Sequence, residues 1–500
     1  MSGIKVRAQT KARAVGLLST ASLAMVSACS GGGGGGADPT PVAPPVAAPT
    51  PVVNQAPIFT SASSASVVEN VTGTVYQATA TDTNNDALTY AISGGSDAAR
   101  FTVTPSGQVA FVAAPNFDLP ADADANNVYD LQISVSDGKA STALSLAVTV
   151  TNSREGIAVR RVGTGFTNPV AIAPVSDTVA LVAEKGGAIY QLDPQTGNKT
   201  LLIRIDNVGP VGVVAITAAP TFAANGTFFV MYHSQSGFLV VNRYLRNPAV
   251  PTVPDNFGPV LTISAPQYGG GGWLGYDAAG TLLAATGDAG GKGDPTGSAQ
   301  DDASRLGKLL RIAANPDPYA GASPIFFIIS TVAKGLHQPT GGSISGNGIL
   351  LADRGQDLAE ELDRIATTTT GGNFGWPFKE GSRTVQGTAP AGLTDPVLDY
   401  FRTSGFRTGQ AIVGGGAGPS AISSLRNQYV FADGGGAIFA IDAQALQAGT
   451  TASASLVERR DADFTPDQGV IDHPVAVTTG PGGTLYVLDQ DGEVFRVDAG

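Results

Sequence analysis

Between residues 179 and 498, apolar residues come in paired runs separated by a short acidic or glycine-rich turn. The pairs read "VALVAEKGGAIYQLD" (179–193), "TFFVMYHSQSGFLVVNRYL" (227–245) and "TLLAATGDAGG…GKLLRIAA" (281–314). They continue as "GILLADRGQDLAEELDRIA" (348–366), "QYVFADGGGAIFAID" (428–442) and "TLYVLDQDGEVFRVD" (484–498). Each pair predicts a hairpin of two apolar strands. Six such units over residues 156–500 predict a six-bladed β-propeller, in which every blade buries its faces against its neighbours. The run "GIAVRRV" (156–162) is placed to add a strand to the last blade and close the ring without a long open edge. Helical patterns are scarce, and "DAQALQAG" (442–449) is among the few short candidates.

Residues 54–152 alternate differently. Short strands such as "VYQATATD", "LTYAISG" and "VYDLQISVSDG" switch between apolar and polar at every step, and "TPSGQV" is a hairpin turn. About seven such strands in a hundred residues predict a β-sandwich. The fold class is therefore all-β, a propeller preceded by a sandwich.

The first 28 residues carry four basic side chains and then the apolar run "AVGLLSTASLAMV", too short to span a bilayer and consistent with a secretory signal. The single cysteine of the chain, Cys29, closes the sequence "VSAC". That sequence resembles a bacterial lipobox, which implies a lipidated Cys29 and anchorage to the cell envelope, with Ser30 pointing to the outer membrane; the other reading is a plain signal peptide. Residues 29–53 join a glycine run to Pro-Ala repeats, a flexible joint followed by a semi-rigid spacer. With one cysteine there is no intrachain disulfide. The net charge of −12 argues against nucleic acid as a partner and suits calcium. A monomer is expected.

Residues 54–152 resemble bacterial cadherin-like repeats through "VVEN", "TATDTNNDALTYAIS", "PNFDLPADADANNVYDLQISVSDG" and "VTVTN". The resemblance implies Glu69, Asp82, Asp118, Asp122 and Asp124 as calcium ligands, and "DADANN" reads as an extended segment with Asp122, Asp124 and Asn126 on one face. Sites of that family lie between successive repeats, and only one repeat is present. The other reading is a spacer whose carboxylates decorate turns.

Residues 156–500 resemble the glucose/sorbosone dehydrogenase family, through "GGWLGYDAAGTLLAATGDAGGKGDPTGSAQDDASRLGKLLRI", "DRGQDLAEELDRI" and "GGNFGWPFKEG". That resemblance implies pyrroloquinoline quinone (PQQ) and calcium on top of the propeller, a histidine base, and oxidation of an aldose. The chain departs from the pattern where the chemistry lies. In "GGGGWLG", Gly269 takes the place of the histidine; the adjacent phenol of Tyr268 is a poor base. In "GLHQP", His337 and Gln338 replace an arginine and an asparagine. Two classes of function stay open: a sugar dehydrogenase with a relocated base, for which His337 is the candidate and His337, Gln338 and Trp376 the cofactor contacts, or a non-catalytic propeller that binds a carbohydrate or protein. Asp288, Asp294, Asp301, Asp353, Asp357 and Glu361 either hold calcium between blades or cap turns, and Lys308 and Arg311 are expected to pair with such acids.

Overall fold

Each of the six apolar hairpins is the middle of a sheet. In this computed structural model the described residues are 52–246, 255–266, 268–316, 325–345, 348–367, 371–403 and 405–500; the expected signal segment, Cys29 and the Gly/Pro-rich stretch through residue 51 lie outside them. The hairpin Val179–Glu184 and Ala188–Leu192 sits between Pro169–Ser176 and Lys199–Arg204. The strands Leu282–Thr286 and Leu485–Asp489 are buried at every position. Polar alternation is absent there because both faces of each sheet are covered. It returns at the outer strand Lys199–Arg204, which meets water.

Six apolar seams join each sheet to the next. Leu181, Ile189, Phe228 and Val230 join the first sheet to the second. Met231, Leu239, Leu274 and Leu310 join the second to the third. Leu309, Val332, Leu351 and Ile365 join the third to the fourth, whose inner strand is Gln338–Ser345. The fifth, beginning at Ile412–Ala417, packs on the fourth through Leu362 and Phe439, and on the sixth through Val430 and Val487. Val182, Leu192, Tyr486 and Leu488 join the sixth back to the first. At about 1.5–3 kcal/mol for each fully buried large apolar side chain, stability is spread around the ring rather than concentrated in one centre. The first strands surround an axial cavity of about 410 Å³.

The ring is tied by its ends. Ile157–Gly163 pairs antiparallel with Val494–Ala499, so the last sheet takes its fourth strand from the start of the segment. The run "DAQALQAG" makes only the 3₁₀ turn Ala443–Ala445, capped by the Asp442 carboxylate on the Gln444 amide. Phe222–Asn225 is the one α-helix among the described residues, and no helix there is long and apolar enough to cross a membrane.

Ahead of the ring, a four-stranded sheet (Ser64–Val68, Ser141–Thr151, Val128–Ser136, Thr89–Gly94) and a three-stranded one (Thr74–Gln77, Gln108–Phe111, Phe101–Val103) enclose Phe101, Val109, Tyr129, Ile133 and Val148. Residues Asn54–Gly500 form one compact unit. The two parts meet through Arg154 and Glu155, both in left-handed backbone conformation (φ 57° and 44°).

Candidate functional site

A pocket of about 250 Å³ opens at one end of the ring between the third and fourth sheets, walled by Gly269, Gly270, Asp288, Gly290, Gly291, Lys292, His337, Gln338, Gln356 and Asp357. Its floor is a glycine turn. A Cβ on Gly271 would stand 3.0 Å from Gln338 Cα, and Gly271 has φ 79°, so that position needs glycine. Gly269 is different. Its backbone is ordinary, and a Cβ there would meet only Gly290 Cα, at 3.4 Å. A Cβ at Gly269 would therefore make one ordinary van der Waals contact and no clash.

Tyr268 does structural work. Its hydroxyl accepts the Gly287 amide at 2.9 Å and donates to the Gly271 carbonyl, and burial raises the phenol pKa. It offers no base. Asp288, also buried, accepts the Trp376 indole N–H and the Gly290 amide, each at 2.8 Å. Burial pushes its carboxyl pKa up, while the indole bond and the nearby His337 pull it down. Trp376 is buried, so its ring packs rather than offering a face to ligand.

His337 is held from three sides. Asp353 accepts the main-chain amides of His337 (2.8 Å) and Gln338 (2.6 Å). The imidazole leans on Trp376, with ring centroids 4.2 Å apart. Nδ1 lies 2.6 Å from the Arg354 carbonyl, an obligate acceptor, so Nδ1 carries the proton. The neutral ring therefore presents Nε2 as a bare lone pair. Burial lowers the His337 pKa, which favours that neutral form, against the opposing pull of the Arg354 carbonyl and Asp288. Gln338 Nε2 reaches across to the Gly269 carbonyl at 3.3 Å.

Cations do not collect here. Lys292 is paired with Asp357 at 2.7 Å. Arg402 gives Nε to Glu360 (2.6 Å) and its remaining donors to the Gln356 and Gly355 carbonyls (2.6 and 2.5 Å). Arg407 bonds the Val457 carbonyl at 2.7 Å and Arg459 bonds Asp461 at 2.8 Å. Lys308 points inward instead of pairing with acids: its Nζ donates to the carbonyls of Ser298, Ala299 and Leu306, and burial lowers its pKa to about 8. Arg311 does stand near Asp277, at 3.5 Å. His233 bonds the Ala265 carbonyl from a buried position, and His473 is at the surface beside Asp472.

The family model described as Glucose / Sorbosone dehydrogenase matches residues 166–496. The chain belongs to that family. Among solved structures, the PQQ-bound aldose sugar dehydrogenase from Streptomyces coelicolor aligns at TM-score 0.52 and 22% identity, over 69% of this chain and 98% of that one. The soluble aldose sugar dehydrogenase from Escherichia coli aligns at 0.52 and 19%, over 69% and 100%. The calcium structure of the Trichoderma reesei enzyme of family AA12 aligns at 0.50 and 16%, over 69% and 96%. These likenesses establish a shared β-propeller fold.

The glucose/sorbosone dehydrogenase relatives include PQQ-bound forms, so the pocket was tested for that cofactor. PQQ carries three carboxylates and needs compensating positive charge. The pocket opposes to it two carboxylates, Asp288 and Asp357, and one lysine already paired. The walls of this pocket offer it no unpaired cation.

The sandwich carboxylates fall in three places. Glu69 and Asp118 lie at the end facing the propeller. Glu69 is satisfied by the Phe117 amide (2.9 Å) and by Ser153 N (2.9 Å) and Oγ (3.0 Å). Asp118 meets Arg460 from the propeller at 2.8 Å, in a buried group that also holds Glu155 (2.8 Å), Asp463 (3.0 Å) and Glu458 (3.4 Å). A guanidinium thus stands among these carboxylates. Asp122 and Asp124 occupy a turn, not an extended segment: Ala125 and Asn127 have φ 57° and 64°, Asp122 accepts the Asn126 amide at 2.7 Å, and Asp124 accepts the Asn126 side chain at 2.8 Å. Asp82 caps a loop elsewhere by accepting the Asn84 and Asp86 amides. Arg460 and its partner Asp118 lie 342 residues apart in the chain.

Proposed function

We propose that this chain is an outer-membrane lipoprotein, anchored through Cys29, whose six-bladed propeller binds an aldose-class carbohydrate at the open pocket. The cadherin-like sandwich and the Gly/Pro spacer set the propeller away from the membrane, and the protein acts as a monomer without nucleic-acid partners. One observation carries the reading: at the family's active end the base position is the empty Gly269, while neutral hydrogen-bonding groups, Gln338, Gln356 and the His337 imidazole, remain on the walls. A polyhydroxyl ligand needs such mixed donors and acceptors and no charge partner. The pocket lies below the ~300–1,000 Å³ of drug-sized ligand sites, which suits a monosaccharide unit. Calorimetric titration with a panel of aldoses tests this: saturable binding, weakened at least tenfold by His337→Ala and Gln338→Ala, is expected. Absence of binding by every aldose, or affinity unchanged in both variants, refutes it.

The second reading is aldose oxidation with PQQ. It is favoured by His337 Nε2, a bare lone pair on the pocket wall that can accept a hydroxyl proton. Quinone titration followed by absorbance, then sugar-driven dye reduction, decides it; no quinone uptake removes it. For the sandwich, the leading role is a rigid spacer. Calcium at its junction with the propeller is the alternative, favoured by the grouping of Asp118, Glu155 and Asp463, with Asp118 Oδ1 buried without a hydrogen-bond partner. A calcium-dependent rise in melting temperature that Asp463→Asn abolishes supports it.

A further inference from the structure

We propose that the seam between the third and fourth propeller sheets holds a calcium ion, bound by Asp353, Glu361 and Asp363. In the strand pair Gly348–Arg354 and Ala359–Ala366, Asp353 stands directly opposite Glu361, and Asp363 follows two residues on, so all three share one face. Leu351 and Ile365 flank them on that face and pack against the third sheet. The carboxylates are therefore set in an apolar seam, with side chains 0%, 4% and 0% exposed. One oxygen from each lies within 4.8 Å of the others. An ion bonded at about 2.3–2.6 Å to each oxygen spans that separation.

The cluster is not explained by the hydrogen bonds around it. Asp353 is satisfied by the His337 and Gln338 amides. Glu361 Oε2 and both oxygens of Asp363 have no partner. Among the described residues no lysine or arginine forms an ion pair with any of the three; the nearest clasp, Arg402 with Glu360, belongs to the opposite face of the strand. Three carboxylates in such a place stay charged only with a cation, since burying an unpaired carboxylate costs several kcal/mol or more. The donor set is all oxygen, with no histidine or cysteine, which selects a hard cation. Calcium tolerates irregular carboxylate cages, whereas magnesium retains several waters that an apolar seam does not accommodate. The competing account is protonation, and burial does push the pKa values of Glu361 and Asp363 up. The two accounts differ in stoichiometry. This site adjoins the sugar pocket, since Asp353 holds the His337 and Gln338 amides, but none of its three carboxylates lines that pocket or belongs to the sandwich junction.

The test is calcium content by mass spectrometry on the full chain, after dialysis against calcium and then against buffer. Wild type is expected to hold one more equivalent per chain than Asp363→Asn and than Glu361→Gln, and Asp463→Asn at the junction is expected to leave this equivalent in place. Chelation should lower the wild-type melting temperature and leave the two variants unmoved, with apparent calcium affinity rising from pH 6 to pH 8 as protons are displaced. Equal calcium content in wild type and both variants, or a wild type that binds none, overturns the proposal in favour of protonated acids. Should Asp363→Asn fail to fold, Glu361→Gln and the wild-type count decide alone.

Discussion

Arg460 offers the sharpest test of how the sandwich and propeller are joined. Its side chain is 1% exposed and serves Asp118 and Asp463, both fully buried, together with Glu155 and Glu458. Replacement by methionine keeps the apolar stem and removes the charge. Breaking a buried ion pair from one side costs about 3–5 kcal/mol, because the orphaned carboxylates stay behind. In the unit Asn54–Gly500 that corresponds to a fall in melting temperature of about 3–5 °C. The loss should depend on pH with a definite sign. Burial pushes the Asp118 pKa up from the ordinary carboxylate range to about 8 in the folded state, with Arg460 pulling down and Asp463, Glu69 and Glu155 pushing up. The folded state therefore holds a proton that the unfolded state has lost, and wild-type stability falls as pH rises from about 4 through about 8. Without the guanidinium that pKa rises further, so the variant should lie close to wild type at pH 5 and well below it at pH 8. Scanning calorimetry at both values, with Asp118→Asn and the double variant closing the cycle, reads the coupling directly. An equal deficit at both pH values would mean that Arg460 acts through packing alone, and no deficit at all would mean the clasp does not exist.

Further outcomes are expected nearer the pocket. Gly269→Ala should fold with unchanged or slightly higher stability, since a Cβ there meets only Gly290 Cα at 3.4 Å and a glycine is removed from the unfolded chain; a clear loss of melting temperature refutes the reading that the position has room for a side chain. Trp376→Phe removes the indole donor from buried Asp288 and should cost about 1–3 kcal/mol in urea unfolding, whereas a cost near zero would show that bond to be idle. Lys308→Met strands three carbonyls that the ammonium now serves, and should destabilise by about 2–5 kcal/mol, with a neutral result refuting the buried-clamp role.

What could be read from the chain followed the range of the interactions. The hairpins were legible because each is local: two apolar runs and a turn within some twenty residues, as at Val179–Glu184 and Ala188–Leu192. The gap at Gly269 was legible because it sits inside an otherwise intact motif. The turn at Asp122–Asn127 was misread since alternate acids fit a strand and a capped turn equally well; the left-handed Ala125 and Asn127 decide it only in three dimensions. Lys308 was expected to find a carboxylate, but the Ser298–Leu306 loop folds back over it and offers carbonyls instead. Arg460 has Glu458 and Asp463 close by in the chain, but Asp118 and Glu155, 342 and 305 residues away, left no local signal.

The bonds that shape the family's active end are almost all internal to it. Tyr268 spends its hydroxyl on Gly271 and Gly287, Asp288 its oxygens on Trp376 and Gly290, Asp353 its oxygens on the amides of His337 and Gln338, and Arg402 its donors on Glu360 and two carbonyls. None of these pairings requires a cofactor to be satisfied, so each retains its energetic value in a propeller that performs no chemistry. Gly269 makes no such contribution: a Cβ there would meet only Gly290 Cα, at 3.4 Å. A change of side chain at Gly269 therefore breaks no buried bond, while loss of a scaffold partner leaves a buried polar group unpaired at about 1–3 kcal/mol.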